Sequence, residues 1–119
     1  MSPRPRRSLL PLLLVLTFTL AACQSGSAAS PADSPPERGV TTVDAKDLKF
    51  LPPAIEVTPG TEVTWRFVDG SVPHNVKGDG FASETQSRGT YRHRFTQAGE
   101  YRYHCDLHAG MEGRVVVAG

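Results

Sequence analysis

The sequence predicts an all-β protein, a Greek-key β-sandwich of about seven or eight strands. Short runs in which apolar and polar residues alternate recur through residues 40–117, and turn signals containing Pro or Gly separate them. No stretch of that region has the apolar spacing of an amphipathic helix. Many short strands with frequent turns are typical of two packed sheets.

The first residues have the composition of an export signal. Arginines at positions 4, 6 and 7 precede an apolar run over residues 9–20, which is too short to span a bilayer as a helix. Leu20-Ala21-Ala22-Cys23 resembles a bacterial lipobox, in which the Cys is linked to diacylglycerol and becomes the new first residue. We therefore interpret residues 1–22 as a lipoprotein signal peptide and Cys23 as the lipidation site. An ordinary signal peptide is the alternative, and the paired arginines leave Sec and twin-arginine export both open.

Residues 23–39 form a Ser/Ala/Pro-rich segment that predicts a disordered linker behind the lipidated Cys. The folded domain is then residues 40–119. The chain has two cysteines, one of which is assigned to lipid, so the mature protein has no intramolecular disulfide. The whole chain has a formal charge of +1, and loss of the three arginines of the signal leaves 10 basic and 12 acidic residues. A balance of this kind does not suggest a nucleic-acid partner.

The first half of the domain contains several strand and turn signals. The β-branched run over residues 40–43 predicts a strand, and Pro52-Pro53 places an edge strand or a turn after Phe50. Thr58-Pro59-Gly60-Thr61 favours a type II turn, which we expect to close a hairpin with the next strand. That strand is predicted to turn one face inward, formed by Val63, Trp65 and Phe67.

The second half begins with a polar, Gly-rich connection over residues 77–89, for which we expect one short strand. Two alternating strands follow, over residues 91–95 and 101–105. Because successive strand residues point to opposite faces, Tyr103 and Cys105 are expected to point inward together. His104 then points away from Cys105, and His93 is expected to pack on the sheet.

A metal-binding pattern follows the last of these alternating runs. Cys105, His108 and Met111 have Cys-x2-His-x2-Met spacing, and Gly110 and Gly113 are expected to help the segment fold back. Thiolate and imidazole bind first-row transition metals strongly, whereas a thioether is a weak, soft donor that zinc does not usefully recruit. The combination of the three donors predicts copper.

A trigonal His2Cys copper site with a long axial Met requires a second histidine. Pro73-His74-Asn75-Val76 provides one in a turn-like setting, 31 residues before Cys105 (105 − 74). His74 is therefore the predicted second imidazole ligand.

These two segments resemble those of the cupredoxin, or small blue copper protein, family. The matching motifs are Pro73-His74-Asn75-Val76 and Tyr103-His104-Cys105-x2-His108-x2-Met111-x-Gly113-x-Val115-Val116-Val117, with Phe50-x-Pro52, Pro59-Gly60-Thr61-x-Val63-x-Trp65 and Gly99-x-Tyr101-x-Tyr103 in support. Within the family, the two-residue gap between His108 and Met111 is similar to that of amicyanin and shorter than that of plastocyanin.

The resemblance implies a cupredoxin domain over residues 40–119 that holds one copper ion and transfers single electrons between Cu(II) and Cu(I). It implies Cys105, His74 and His108 as the close ligands and Met111 as a weak axial ligand. His108 is also the implied electron port at the surface. A backbone N–H near the sulfur would tune the potential, and Asn75 is the candidate by position.

We thus expect a monomeric electron carrier, not an enzyme, that meets a redox donor and acceptor transiently at the bacterial cell envelope, where a lipid anchor at Cys23 holds it to a membrane. The alternative is a copper-binding protein that buffers or delivers the metal there. Such a protein is expected to carry extra Met or His residues near the site, and Met111 is the one methionine outside the predicted signal peptide. Copper catalysis would require an open coordination position and a substrate pocket.

Overall fold

The computed structural model describes residues 29–119, together with residues 2, 3 and 11. The predicted lipidation site, Cys23, and nearly all of the predicted signal peptide lie outside the described residues. Within them the chain forms two sheets, a single 3-10 turn at Pro31–Asp33, and no helix of the length and apolarity that crossing a bilayer requires. The all-β sandwich is confirmed.

The described residues contain ten strands, of which β1, β6 and β7 have only two residues each. The strands are β1 (Glu37–Arg38), β2 (Thr42–Lys46), β3 (Lys49–Leu51), β4 (Ala54–Val57), β5 (Thr61–Phe67), β6 (Lys77–Gly78), β7 (Phe81–Ala82), β8 (Thr90–Phe95), β9 (Gly99–His104) and β10 (Glu112–Val117). The connection over residues 77–89 was expected to hold one short strand and holds two, which pair with each other and extend the sheet beyond β9.

One sheet has six strands in the order β1-β4-β10-β9-β6-β7, and the other has four in the order β3-β2-β5-β8. Some neighbours that are distant in sequence, such as β4 and β10, pair in parallel and need crossover connections, whereas others, such as β5 and β8, pair antiparallel. β3 lies at an edge of its sheet, in agreement with the Pro52-Pro53 signal that follows it. The segment from Cys105 to Met111 connects the central pair β9 and β10, and the segment that contains His74 follows β5 of the other sheet.

The turn at Thr58–Thr61 forms as predicted, but it does not close a hairpin. The backbone N–H of Thr61 donates to the carbonyl of Thr58 at 3.2 Å, and Gly60 takes a positive φ of 91°. β4, however, belongs to the six-stranded sheet and β5 to the four-stranded one, so the turn carries the chain from one sheet to the other. The hairpin prediction was wrong because alternation shows which face of a strand is buried but does not select the strand that pairs with it.

The core between the sheets is built around Trp65. Val63, Trp65 and Phe67 all point inward, as the alternation predicted, and each is at most 3% exposed. The indole lies edge to face with Tyr103, whose ring centroid is 5.3 Å away, and stacks on Phe81 at 5.9 Å. Burial raises the pKa of the Tyr103 hydroxyl well above its usual value. Tyr103 therefore connects the core to the strand that precedes Cys105.

The fold begins earlier than the sequence indicated. Residues 30–38, here called the N-terminal strap, were expected to be part of a disordered linker, yet Ala32 is 1% exposed and β1 pairs in parallel with β4. The strap starts where the hydroxyl of Ser30 donates to Glu112 and continues past an ion pair between Asp33 and Arg102. The prediction was wrong for the strap because its Ser/Ala/Pro composition has no apolar period that would indicate order. The side chains that Ser30 and Asp33 bind belong to β9 and β10, about 70 to 80 residues away, and local composition does not show them.

Candidate metal centre

Three potential donor side chains converge at one end of the sandwich. His74 lies in the loop after β5, Cys105 directly follows β9, and His108 lies in the turn that leads to β10. The backbone of His74 is fixed by two hydrogen bonds with Gln86. Its N–H donates to the Gln86 carbonyl at 3.0 Å, and its carbonyl accepts from the Gln86 N–H at 2.9 Å. The two ligand-bearing segments predicted from the sequence therefore meet in space.

The donor atoms of these side chains form a compact triangle. His74 Nδ1 lies 3.2 Å from His108 Nδ1, and Cys105 Sγ lies 3.9 Å from the first nitrogen and 3.6 Å from the second. For metal bonds of about 2.0 Å to nitrogen and 2.3 Å to sulfur, three donors in one plane stand about 3.5 Å (N to N) and about 3.7 Å (N to S) apart. The observed triangle is thus the size that a trigonal His2Cys site requires.

Met111 occupies the predicted position at the end of the loop. It is 1% exposed, and its carbonyl accepts a hydrogen bond from the backbone N–H of Cys105 at 2.9 Å. Gly110 has a φ of 80°, the left-handed conformation that allows the chain to reverse just before Met111. This reversal holds Met111 beside Cys105 in a closed seven-residue loop, Cys105 to Met111.

Gly113 was expected to help the chain reverse, and this expectation was wrong. It lies inside β10, directly opposite Tyr103 of β9, and a Cβ atom added there would overlap the end of the Tyr103 ring. The need at this position is for space and not for backbone freedom. Gly113 allows the Tyr103 ring to fold over β10 and so contributes to the packing beneath the site.

His74 is buried completely, and its second ring nitrogen has a carboxylate partner. Nε2 of His74 lies 2.8 Å from Oδ2 of Asp69, at the start of the same loop. This hydrogen bond holds the pKa of Asp69 below its usual value, helped by hydrogen bonds from the backbone of Asp47 and Leu48. The sequence analysis missed Asp69, because Asp69-Gly70 is also an ordinary turn signal and nothing local links it to a residue five positions later.

Asn75 joins the two ligand segments. Its side-chain N–H donates to the carboxylate of Asp106 at 2.9 Å, and its carbonyl oxygen accepts from the backbone N–H of Asp106 at 2.8 Å. Asn75 follows His74, and Asp106 follows Cys105. Asn75 therefore lies beside the site as expected, while a contact from its backbone to the sulfur stays a prediction.

The histidines that were judged poor ligands lie outside the triangle. His104 is exposed, and its Nε2 contacts the carboxylate of Asp106 at 2.8 Å. His93 is stacked on Phe81 with ring centroids 5.0 Å apart. Among the described residues, the group of His, Cys, Asp and Glu side chains close enough to hold a metal ion is His74, Cys105 and His108, two of them buried and His108 half-buried.

A two-sheet β-sandwich with one thiol and two imidazoles gathered at one end, and a buried Met that closes the loop carrying the thiol, defines a small mononuclear copper protein. A family profile described as copper binding proteins, plastocyanin/azurin family, matches residues 38–118. The chain therefore belongs to the plastocyanin/azurin family of copper-binding proteins, and copper is the metal that its site takes.

Individual relatives agree with this assignment. Amicyanin of Paracoccus denitrificans is 32% identical over 124 residues, which cover 93% of this chain and 94% of that protein. Amicyanin-alpha of Methylorubrum extorquens is also 32% identical, over 82% of this chain and 86% of that one.

Solved structures give the same result. A purple cupredoxin from Nitrosopumilus maritimus superimposes with a TM-score of 0.61 at 27% identity, and 66% of this chain covers all of it. The M98A mutant of amicyanin with Cu(I) superimposes with a TM-score of 0.60 at 31% identity, over 75% of this chain and 90% of that chain.

Proposed function

We propose that this protein is a blue copper electron carrier of the cell envelope, with His74, Cys105 and His108 as close ligands and Met111 as a weak axial ligand. The bound copper would take up and release one electron as it alternates between Cu(II) and Cu(I). The observation that carries the proposal is the donor triangle, with sides of 3.2, 3.6 and 3.9 Å, formed by side chains whose backbones are already fixed. Donors that do not need to rearrange keep the cost of electron transfer small.

Each ligand has a distinct part in this proposal. Cys105, at 4% exposure, would give the strong thiolate bond in a site protected from water, and His74 would anchor the metal from the buried side. Met111 would tune the potential without binding tightly. His108 is half-buried, next to the exposed Leu107, and we assign it as the electron port.

Visible and EPR spectroscopy of the Cu(II)-loaded protein tests the ligand assignment. We expect a strong red-absorbing thiolate-to-copper band and a narrow copper hyperfine splitting, both lost in Cys105→Ser. His104→Gln is the matched control, because it changes the neighbouring imidazole, which lies outside the donor triangle, and should keep both signals. A colourless Cu(II) form of the unaltered protein would refute the electron-carrier assignment.

Copper buffering or delivery would use the same ligands but would require that the metal leave readily. Met111 is the one methionine outside the predicted signal peptide, which gives little support for a transfer site rich in soft donors. The two functions can be separated by measuring electron self-exchange and copper loss to a Cu(I) chelator on the same sample. A carrier exchanges electrons rapidly and retains its copper, whereas a delivery protein loses it.

Envelope anchoring through a lipid on Cys23 is the second part of the proposal, and it would act on the metal end of the domain. Ser30 bonds to Glu112, the residue after Met111, so the chain enters the fold at that end. Ser30 is seven positions after Cys23 (30 − 23), and a stretch of that length can span at most about 25 Å. The copper end would then stay near the lipid surface, where membrane-associated donors and acceptors bind transiently to the monomer.

Acylation is tested by mass spectrometry of the protein purified from a bacterial envelope. We expect a lipid-modified Cys23 at the N-terminus and membrane association that Cys23→Ala abolishes. Copper binding should be the same in both proteins, because Cys23 is distant in sequence from the donor triangle. An unmodified soluble protein would reject the anchor and leave the carrier assignment intact.

A further inference from the structure

We propose that Asp69 is a positioning residue for the copper site, which orients His74, favours oxidised copper, and is itself held by the turn between β2 and β3. The inference rests on the proposed role of His74 as a ligand. In this proposal the Asp69 carboxylate and the β2–β3 turn position His74 without binding the metal themselves.

The first step is the orientation of His74. Its Nδ1 faces the other two donor atoms, and its Nε2 faces the Asp69 carboxylate at 2.8 Å. A carboxylate at that distance accepts a hydrogen bond from Nε2–H, so the proton of the neutral ring stays on Nε2. The lone pair of Nδ1 is then free to bind metal. Because the ring is 0% exposed, no water competes for Nε2, and Asp69 selects both the tautomer and the ring orientation.

The second step is what holds Asp69. The backbone N–H of Leu48 donates to Asp69 Oδ2 at 3.3 Å, and Leu48 forms with Asp47 the two-residue turn between β2 and β3. Both residues have left-handed φ angles, 53° for Asp47 and 57° for Leu48, the pairing expected of a tight I′ hairpin turn. The same loop is fastened by the N–H of Val68, which donates to the carbonyl of Ala45 in β2 at 3.1 Å. The β2–β3 turn therefore fixes where the carboxylate lies.

The third step is the effect of the charge. A carboxylate bonded to a ligating imidazole makes that ring a stronger donor and places negative charge close to the metal. Both effects favour Cu(II) over Cu(I), because the oxidised ion has the larger positive charge. Asp69 is therefore expected to lower the reduction potential of the site.

Two variants separate orientation from charge. Asp69→Asn keeps an oxygen that can accept a hydrogen bond from Nε2–H but removes the negative charge. Asp69→Leu removes both the hydrogen-bond acceptor and the charge. The control is Glu62→Gln, which removes the same charge from an exposed side chain near the opposite end of β5. The preference for Cu(II) over Cu(I) should fall about tenfold in Asp69→Asn, which equals about 59 mV of higher potential for a one-electron couple. Glu62→Gln should give less than a third of that shift.

A second measurement needs no copper. Nitrogen-15 NMR of the metal-free protein reports which ring nitrogen of His74 carries the proton. We expect protonated Nε2 in the unaltered protein and in Asp69→Asn, and a mixture of tautomers in Asp69→Leu. If Asp69→Leu does not fold, the potential of Asp69→Asn and the tautomer of the unaltered protein still decide the question.

A purely structural role for Asp69 would give a different pattern. Asp69→Asn would then lower the unfolding temperature while its potential matched that of Glu62→Gln, and this result would overturn the proposal. Protonated Nδ1 in the unaltered metal-free protein would overturn it equally. Neither outcome depends on electron exchange with partners, so failure of the carrier function would be seen separately, as slow self-exchange at an unchanged potential.

Discussion

Asn75 and Asp106 are joined by two hydrogen bonds, of 2.9 and 2.8 Å, although they are 31 positions apart in the chain (106 − 75). Each residue directly follows a proposed copper ligand, His74 in one case and Cys105 in the other. The bond from Asn75 is also the main reason that the pKa of Asp106 is held below its usual value. The pair therefore acts as a clamp between the two segments that must meet to form the site.

Replacement of this clamp should loosen the site before metal binds. Asn75→Ala removes both bonds, and at about 1 kcal/mol each the free energy of unfolding of the metal-free protein should fall by about 2 kcal/mol. Copper affinity should fall about tenfold, because the donors are no longer held together in advance. Denaturant unfolding and a competition titration with a chelator measure the two effects.

Ser83→Ala is the control for the Asn75 clamp. Its hydroxyl accepts one hydrogen bond from the N–H of Val76, at 2.8 Å, in the same stretch of chain but with no link to the Cys105 loop. It should cost about 1 kcal/mol in stability and leave copper affinity unchanged. Equal losses of affinity in Ser83→Ala and Asn75→Ala would show that the clamp has no special part in metal binding.

Gly113→Ala should destabilise the domain by about 1 to 3 kcal/mol, the usual cost of overpacking a core. The new Cβ would overlap the ring of Tyr103, which is buried between the sheets and has little room to move. Gly119→Ala is the matched control, since its Cβ would meet Ala98 Cβ at an ordinary 3.7 Å. Equal unfolding midpoints for the two variants in urea would contradict the proposed packing role of Gly113.

Tyr103→Phe should not destabilise the domain. Among the described residues, the Tyr103 hydroxyl is one of a few buried polar atoms with no hydrogen-bond partner, and an unsatisfied buried group costs about 1 to 3 kcal/mol. Its removal is expected to raise the free energy of unfolding by about 1 kcal/mol, as measured by thermal or urea unfolding. A fall of similar size would mean that the hydroxyl has a partner, such as the indole N–H of Trp65, which is also buried and unpartnered, or a buried water molecule.

The N-terminal strap should loosen at acid pH. The hydrogen bond and charge of Arg102 hold the pKa of Asp33 below its ordinary value of 3.8. A group with a lowered pKa in the folded state adds stability that is complete above its ordinary value and is lost as the pH falls through the folded value. We therefore expect the amide signal of Ser34, whose N–H bonds to Pro31, to be constant above pH 5 and to shift below about pH 4.

Asp33→Asn is the control for the strap. It lacks the titrating carboxylate, so its Ser34 signal should not show this transition. A transition of the same size in both proteins would assign the change to another group, and loosening of the strap well above pH 5 would contradict the role of the ion pair.

Much of the fold and of the site could be predicted from local patterns. The alternation of Val63, Trp65 and Phe67 identified the buried face of β5, because strand geometry fixes which side chains share a face. The same alternation placed Cys105 and His104 on opposite faces of the strand. Residue chemistry did the rest, since the spacing of Cys105, His108 and Met111 allows a short loop to present all three donors.

The errors share one cause. The turn at Thr58–Thr61 was correct as a turn and wrong as a hairpin, and the strap was interpreted as a linker although it is held by Glu112 and Arg102. In both cases the local sequence does not show which partners the segment has, because those partners lie elsewhere in the chain. The role predicted for Gly113 was wrong for a related reason, because a glycine that is needed for space cannot be told in sequence from one that is needed for a turn.

The sequence by itself determined the class of the fold, the strand faces and the chemistry of the donors, because these depend on residue type and on spacing over a few positions. The tertiary structure alone decided which strands share a sheet and where the chain enters the fold. It also decided that Asp69 contacts His74 and is itself bonded to the β2–β3 turn. Those features depend on contacts between residues far apart in the chain, and such contacts are fixed only when the whole core packs.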